Sequence, residues 1–247
     1  MNNNSETLII VMPAYNAEKT IAKAIESILE QSYKDFRLII VDDCSTDKTS
    51  RIAYGYLTDP RVSLFKNKTN MGAYYCRNVG LYLNKDKPWG YFTTHDADDI
   101  SFKSRYSRLI GLLRLPRFVA AQDIFKRTDF YTGEELGRGL TMAHAVFNRK
   151  VLGAIGYFEH RRFGADWEYW QRLNAWNKIN NYKTAAVHEL LGESFIHDKN
   201  LTVQIPIGSQ PRVKYISDVR RRMIMMSNKA DYYYEFNKDI FCTEEVL

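Results

Sequence analysis

The densest chemistry in the chain is His95-Asp96-Ala97-Asp98-Asp99. Two carboxylates spaced Asp-x-Asp, Asp96 and Asp98, are costly together on a tight turn unless a cation neutralises them. A hard divalent ion that also grips phosphate oxygens, Mg²⁺ or Mn²⁺, suits such a pair. Alone the pattern is weak, because Asp also caps helices and a helix is expected from Ser101. What raises its weight is position. Trp89 to Thr94 is a short apolar, β-favouring run, so the acids fall at the carboxyl end of a buried strand.

Three earlier strands are expected in front of it. Leu8-Ile9-Ile10-Val11-Met12 is an unbroken apolar run, as in a strand covered on both faces. Ile21, Ala24, Ile25, Ile28 and Leu29 recur at helical spacing, which predicts a helix over 17–31 with Asn16 as N-cap. Phe36 to Val41 and Val62 to Phe65 are the next strands, each followed by a helical segment. Such β-α alternation implies a parallel sheet covered by helices, with ligands beyond the carboxyl ends of its strands. Tyr15, Asp43, Asp96 and Asp98 all fall at those ends. There is no G-x-G-x-x-G and no G-x-x-x-x-G-K-[ST], which argues against a dinucleotide enzyme and a P-loop NTPase.

The second half is less regular. Ser101 to Leu115 reads as a basic amphipathic helix, Phe118 to Phe125 and Met142 to Phe147 as strands, and Asn148 to Ile155 as a helix ended by Gly156. Asp166 opens an aromatic-rich helix around Trp167 to Leu173. Lys183 to Leu191 and Ser194 to Ile196 are later strand candidates, followed by His197. Arg, Met and Tyr accumulate after Pro211, and a domain boundary is expected near residue 205.

The 247 residues, 45% hydrophobic and 26% charged, allow one large domain or one domain with an appendage. No apolar stretch approaches the roughly 20 residues of a membrane span. Met1 to Ser5 lacks the character of a signal peptide, and Cys44, Cys76 and Cys242 lack metal-type spacing. Reduced thiols in a cytoplasmic protein are expected. The net charge of +6 suits a phosphorylated ligand, an anionic membrane or nucleic acid, and does not choose among them.

Pro13-Ala14-Tyr15-Asn16, Val41-Asp42-Asp43-Cys44-Ser45-Thr46-Asp47, Asn70-Met71-Gly72 with Cys76-Arg77-Asn78, and Thr94-His95-Asp96-Ala97-Asp98-Asp99 occur in order after successive strands. Gly164-Ala165-Asp166-Trp167-Glu168 and His197-Asp198-Lys199-Asn200 follow. In this order and spacing the chain resembles the family 2 glycosyltransferases over roughly residues 7–202. The resemblance implies an α/β fold of GT-A (Rossmann-like) type, a mostly parallel sheet covered by helices. Residues 1–205 would form that domain and 206–247 a helical C-terminal extension.

The resemblance also implies roles. Pro13 and Tyr15 would bind the nucleotide, Tyr15 by packing on the base, and Asp43 would accept a hydrogen bond from uracil. Arg77 would contact the nucleotide or brace the acids. Asp98 would touch the metal, Asp96 would hold the ribose or share the ion, and His197 would be a further ligand. Asp166 would be the general base, with Glu168 as competitor because the family often has Glu-Asp where this chain has Ala165-Asp166. The structural alternatives are a loop anchor at Tyr15, a cap at Asp43 or Asp166 and a surface ion pair at Arg77. The implied enzyme is an inverting, Mn²⁺- or Mg²⁺-dependent hexosyltransferase of polysaccharide biosynthesis. It would use a UDP-sugar and a glycan or lipid-linked acceptor, with no nucleic-acid partner and with peripheral contact at the inner face of the membrane. Arg220-Arg221-Arg222 is the candidate for that contact, against a solvated helix face. The Q-x-x-R-W motif of processive synthases is not found. A sugar-phosphate nucleotidylyltransferase is the first rival, but it carries a Gly-rich loop where Pro13 to Asn16 stand. A non-catalytic module for anionic ligands or nucleic acid is the second, and it gives no reason for Asp-x-Asp at a strand end.

Overall fold

The computed structural model describes residues 5–197, 204, 208–225, 233–237 and 243–246. The strand β1 (Leu8–Ala14) is buried along its whole length. Its parallel neighbours are β2 (Phe36–Asp42) on one side and β4 (Tyr91–Thr94) on the other. The unbroken apolar run is explained by two covered faces. Ile9 and Val11 enter one core with the helices α3 (Ala73–Leu83) and α6 (Ala165–Asn180). Leu8, Ile10 and Met12 enter the other with α1 (Ile21–Leu29) and α4 (Arg105–Leu113). Side chains alternate across a strand, so one run feeds both layers. Each such side chain stabilises the fold by about 1.5–3 kcal/mol. Helix α3 lies so close to β1 that a Cβ on Gly80 would stand 2.5 Å from Val11 Cγ1.

The sheet runs β10-β3-β2-β1-β4-β8-β6-β9-β5, with β7 paired to β6. Here β3 is Val62–Asn67, β5 Asp99–Ser101, β6 Phe118–Asp129, β7 Glu135–Leu140, β8 Val146–Asn148, β9 Lys183–Ile196 and β10 Thr243–Glu245. The β3-β2-β1-β4 half is parallel, as expected from the β-α alternation. Helix α2 (Thr49–Tyr54) links β2 to β3, and Asp47 accepts from the Thr49 N–H at its start. Helix α5 (Arg149–Ile155) is capped by Asn148, whose side chain accepts from Lys150 N–H, and ends at Gly156.

Some expectations are corrected. Helix α1 begins at Ile21 rather than near 17, and Asn16 is not its cap. Asn16 adopts φ 49° and its side chain accepts from the Thr46 N–H, tying the loop after β1 to the loop after β2. A long-range partner has displaced the local cap. The helix read from Ser101 is the short strand β5 followed by α4. The two late strand candidates are one strand, β9. No helix among the described residues is long and apolar enough to cross a membrane.

The expected boundary near residue 205 lies outside the described residues. The described residues beyond it pack on the rest. Phe236 meets the rings of Tyr75, Tyr82 and Tyr157, and β10 pairs with β3. Helix α7 (Gln210–Met225) buries Tyr215 and Val219. It is clasped through Glu159, which accepts from Tyr215 OH at 2.7 Å and from Arg222 and Arg161. Burial pushes the Glu159 pKa up, but the bonds from Arg222 and Tyr215 outweigh it and the net shift is down. A depressed folded value means the stabilisation is present above the unfolded value, about 4.3 for Glu, and is lost as pH falls through the folded one. Thermal melts of the parent and Glu159→Gln should therefore differ near neutrality and converge at pH values below the usual carboxylate range. A difference that persisted unchanged into acid would contradict the clasp.

Candidate active site

A cleft of about 800 Å³ opens beyond the carboxyl ends of β1, β2 and β4. Eight residues singled out from the sequence line it: Pro13, Tyr15, Asp43, Arg77, Asp96, Asp98, Asp166 and His197. Tyr15, 52% exposed, presents an open aromatic face. Asp43 is buried and accepts from Asn67 Nδ2 at 2.7 Å, Met71 N–H at 2.8 Å and Gly72 N–H at 2.7 Å. It therefore holds the loop that opens α3. The buried Cys76 thiol also bonds to Asp43 and is pushed up in pKa by burial and by that carboxylate.

Tyr74 and Arg77 lie three apart on α3 and so share a face. Arg77 donates to Asp96 Oδ1 at 2.7 Å, and its guanidinium lies 4.8 Å from the Tyr74 ring centre. Tyr74 OH donates to Asp166 Oδ1 at 2.6 Å. One helix face thus links the acid at the end of β4 to the acid at the start of α6. Burial alone would raise the Asp96 pKa, but Arg77 and His144 bring it down to about 2. Burial first, then the Asp166 charge, drives the Tyr74 pKa up, so its hydroxyl keeps the proton it donates.

Asp166 stands in the first turn of α6, whose N-cap is Gly164 at φ 76°, so Asp166 is not the cap. Glu168, the competing acid, points elsewhere. Its side chain is 1% exposed and accepts from Arg172 Nε at 2.6 Å and Nη2 at 2.8 Å. It does not line the cleft.

The acids after β4 divide into two groups. Asp98 Oδ2 and His197 Nε2 are 3.0 Å apart, with side chains 20% and 19% exposed. Asp99 Oδ2 and His144 Nε2 are 2.7 Å apart, with side chains only 5% and 4% exposed. Asp96, Asp99 and His144 offer ligand atoms within 4.8 Å of one another. His144 Nδ1 faces the Thr94 carbonyl, which can only accept, so Nδ1 carries a hydrogen. The short contact from Nε2 to Asp99 then calls for a proton or a cation between the two atoms.

The sequence reading missed Tyr74, Asp99 and His144. Asp99 lies in the acidic motif itself, and its position next to Asp98 was the available signal. Nothing in the spacing of Thr141 to Ala145 connects His144 with acids 45 residues earlier. His144 is placed from behind by Arg105. This fully buried guanidinium pairs with Asp123 and donates to the His144 carbonyl. His95, buried beside it, is held down to a pKa of about 3 by burial, then by His144 and Arg105, and stays neutral.

A model of glycosyl transferase family 2 matches residues 9–200. A 104-residue stretch is 34% identical to the Escherichia coli UDP-Glc:alpha-D-GlcNAc-diphosphoundecaprenol beta-1,3-glucosyltransferase WfgD, covering 42% of this chain and 40% of that protein. The chain thus spans about two fifths of that relative's length. Among solved structures, S. aureus TarS 1-349 in complex with UDP-GlcNAc is similar with a TM-score of 0.73 at 16% identity, over 90% of this chain and 67% of that one. Mannosyltransferase PcManGT from Pyrobaculum calidifontis, in complex with GDP-Man and Mn²⁺, has a TM-score of 0.67 at 16% identity, over 90% and 65%. The α/β sheet, the cleft beyond its strand ends and the match across residues 9–200 lead to one assignment: the chain belongs to glycosyl transferase family 2 and has the GT-A fold.

Proposed function

We propose that the chain transfers a sugar from a UDP-sugar to a hydroxyl of a glycan or lipid-linked acceptor, with inversion and with help from a divalent cation. The observation that carries this reading is the convergence of Tyr15, Asp43, Asp96, Asp98, Asp166 and His197 on one cleft. Tyr15 would stack on the base and Asp43 would accept from uracil, with Pro13 shaping the loop beside them. Arg77 holds Asp96 ready for the ribose. A UDP donor is named for WfgD and a bound UDP-sugar for TarS.

Carboxylate oxygens fit Mn²⁺ or Mg²⁺, and an imidazole beside them favours Mn²⁺ over Mg²⁺. Asp98, Asp96 and His197 are the proposed ligands, because an ion that also meets substrate phosphate must sit where substrate can reach. The more exposed Asp98–His197 pair satisfies that better than the covered Asp99–His144 pair. When bound, the ion would neutralise charge on the diphosphate leaving group.

Asp166 would take the proton from the acceptor hydroxyl. The freed oxygen attacks the anomeric carbon, the bond to the diphosphate breaks, and UDP leaves. One carboxylate suffices for a single displacement. Residues 1–205 would form the catalytic domain, and 206–247 an extension clasped to it through Glu159.

The test is nucleotide release from UDP-, GDP- and dTDP-sugars, with Mn²⁺ or with chelator. UDP should be released from a UDP-sugar, the rate should collapse with chelator, and Asp98→Asn should fall by about tenfold or more, because it removes ligand charge at constant volume. Full activity of Asp98→Asn would sink the metal assignment. Preference for GDP-sugars would sink the uracil argument.

A further inference from the structure

We propose that the chain carries a second ligand site, for phosphate or a small sugar phosphate, in a pocket at the amino ends of β1, β2 and β3. The pocket holds about 240 Å³, less than the roughly 300–1,000 Å³ of sites for drug-sized ligands. Thr7 just before β1, Asp35 and Arg37 at the start of β2, and Pro60 and Arg61 just before β3 line it. It therefore lies at the opposite end of the sheet from the cleft. Its inner wall is the last turn of α3, where Asn84 is the C-cap. The same helix borders the cleft with Tyr74 and Arg77 from its first two turns.

Two buried polar atoms of the lining have no hydrogen-bond partner among the described residues, and they are of opposite kind. Arg37 Nη1 is a donor and Asn84 Oδ1 an acceptor. Asn84 is 1% exposed, and its amide orientation is fixed, because Nδ2 donates at 2.9 Å to the Gly80 carbonyl, which can only accept. Buried polar groups are destabilising without partners, so the pair calls for an occupant that accepts at one end and donates at the other. Charge makes that occupant an anion. Arg37 and Lys87 form no ion pair among the described residues, while Arg61 is balanced by Asp59. The single acid in the described lining is Asp35, whose Oδ1 already accepts from the Thr7 hydroxyl at 2.8 Å. A plain carboxylate would satisfy Arg37 and leave Asn84 Oδ1 without a donor. Phosphate near neutral pH keeps an O–H beside its charged oxygens, which suit a guanidinium. A sugar phosphate offers its hydroxyls for the same purpose.

The test is calorimetric titration of the full chain with phosphate, sulfate and glucose 1-phosphate, all in chelator. One phosphate should bind per chain. Sulfate, which carries no hydrogen at this pH, should bind about tenfold or more weakly, because it leaves Asn84 Oδ1 unmatched. Arg37→Gln should lower phosphate affinity by about tenfold or more, the worth of a hydrogen bond to a charged group. Lys87→Gln, at an exposed position, should lower it by a smaller factor. Phosphate should raise the Tm of the parent and leave that of Arg37→Gln unchanged. The melt of Arg37→Gln without phosphate verifies that it is folded. Asp98→Asn, which alters the cleft, should bind phosphate as the parent does. Tighter binding of glucose 1-phosphate than of phosphate would assign the site to a sugar phosphate, and weaker binding to free phosphate. No binding at millimolar phosphate, equal affinity for sulfate, or parent-like binding by both Arg37→Gln and Lys87→Gln would each overturn the site. Loss of phosphate binding in Asp98→Asn would move the ligand to the cleft and overturn it as well.

Discussion

Asp166→Asn should lower kcat by about 10²–10⁴-fold, the range for loss of a positioned general base, while UDP binding stays near the parent value. The substitution keeps volume and removes only proton affinity. Asp166 belongs to α6 and the metal candidates to the turn after β4 and the end of β9, so losing this charge need not disturb them. The link that exists runs through α3, because Tyr74 donates to Asp166 and Arg77 to Asp96. An Asn side-chain oxygen still accepts from Tyr74, which keeps that link. Tyr74→Phe should show a smaller loss in kcat, as it removes orientation and leaves the base. Glu168→Gln should behave differently. It weakens a buried pair with Arg172, so its effect should be read as a lower Tm with the turnover of the folded fraction retained. An inactive but stable Glu168→Gln beside an active Asp166→Asn would move the base to Glu168.

Asp123→Leu should destabilise the protein by about 3–5 kcal/mol, the range for stranding one partner of a buried ion pair. Both side chains are 0% exposed, and Asp123 accepts from Arg105 Nε and Nη2 at 3.0 Å each. Without Asp123 the guanidinium keeps no carboxylate among these contacts, and its neutral neighbours are the His144 carbonyl, Ser101 Oγ at 3.4 Å and the rings of Tyr106 and Phe125. For a chain of this length that corresponds to a fall in Tm of about 6–20 °C. Arg105→Met/Asp123→Leu should recover most of the loss, because a well-packed apolar pair can replace a buried ion pair at little cost. The double variant also releases the His144 carbonyl, so its nucleotide affinity should remain below that of the parent even when stability returns. Thermal denaturation of the three proteins decides this. An Asp123→Leu protein within about 1 kcal/mol of the parent would contradict the account, as an uncompensated buried charge costs more than that.

Much of this arrangement could be read before any coordinates. The strands β1 to β4 are visible because parallel strands covered on both faces are unbroken apolar runs, as at Leu8 to Met12. Polar residues after such runs fall into the cleft, which is why Tyr15, Asp43, Asp96 and Asp98 were found. The rest is hidden for stated reasons. Strand β7 is exposed along nearly its whole length, so Glu135 to Leu140 has no burial pattern to detect. Strands β5 and β10 are three residues each, too short for any period. Asp99 of β5, Arg105 of α4, Asp123 of β6 and His144 in the segment before β8 meet in space, and only the fold brings them together. Tyr74 sits on a helix buried over most of its length, where a catalytic partner and a core residue look alike.

The most direct test is calorimetric titration of the full chain with UDP and with GDP, each in Mn²⁺ and in chelator. The reading predicts that UDP binds more tightly with Mn²⁺ than without it, and more tightly than GDP in the same buffer. UDP affinity that ignores the metal, or tighter binding of GDP, would contradict a metal-assisted uridine site in this cleft.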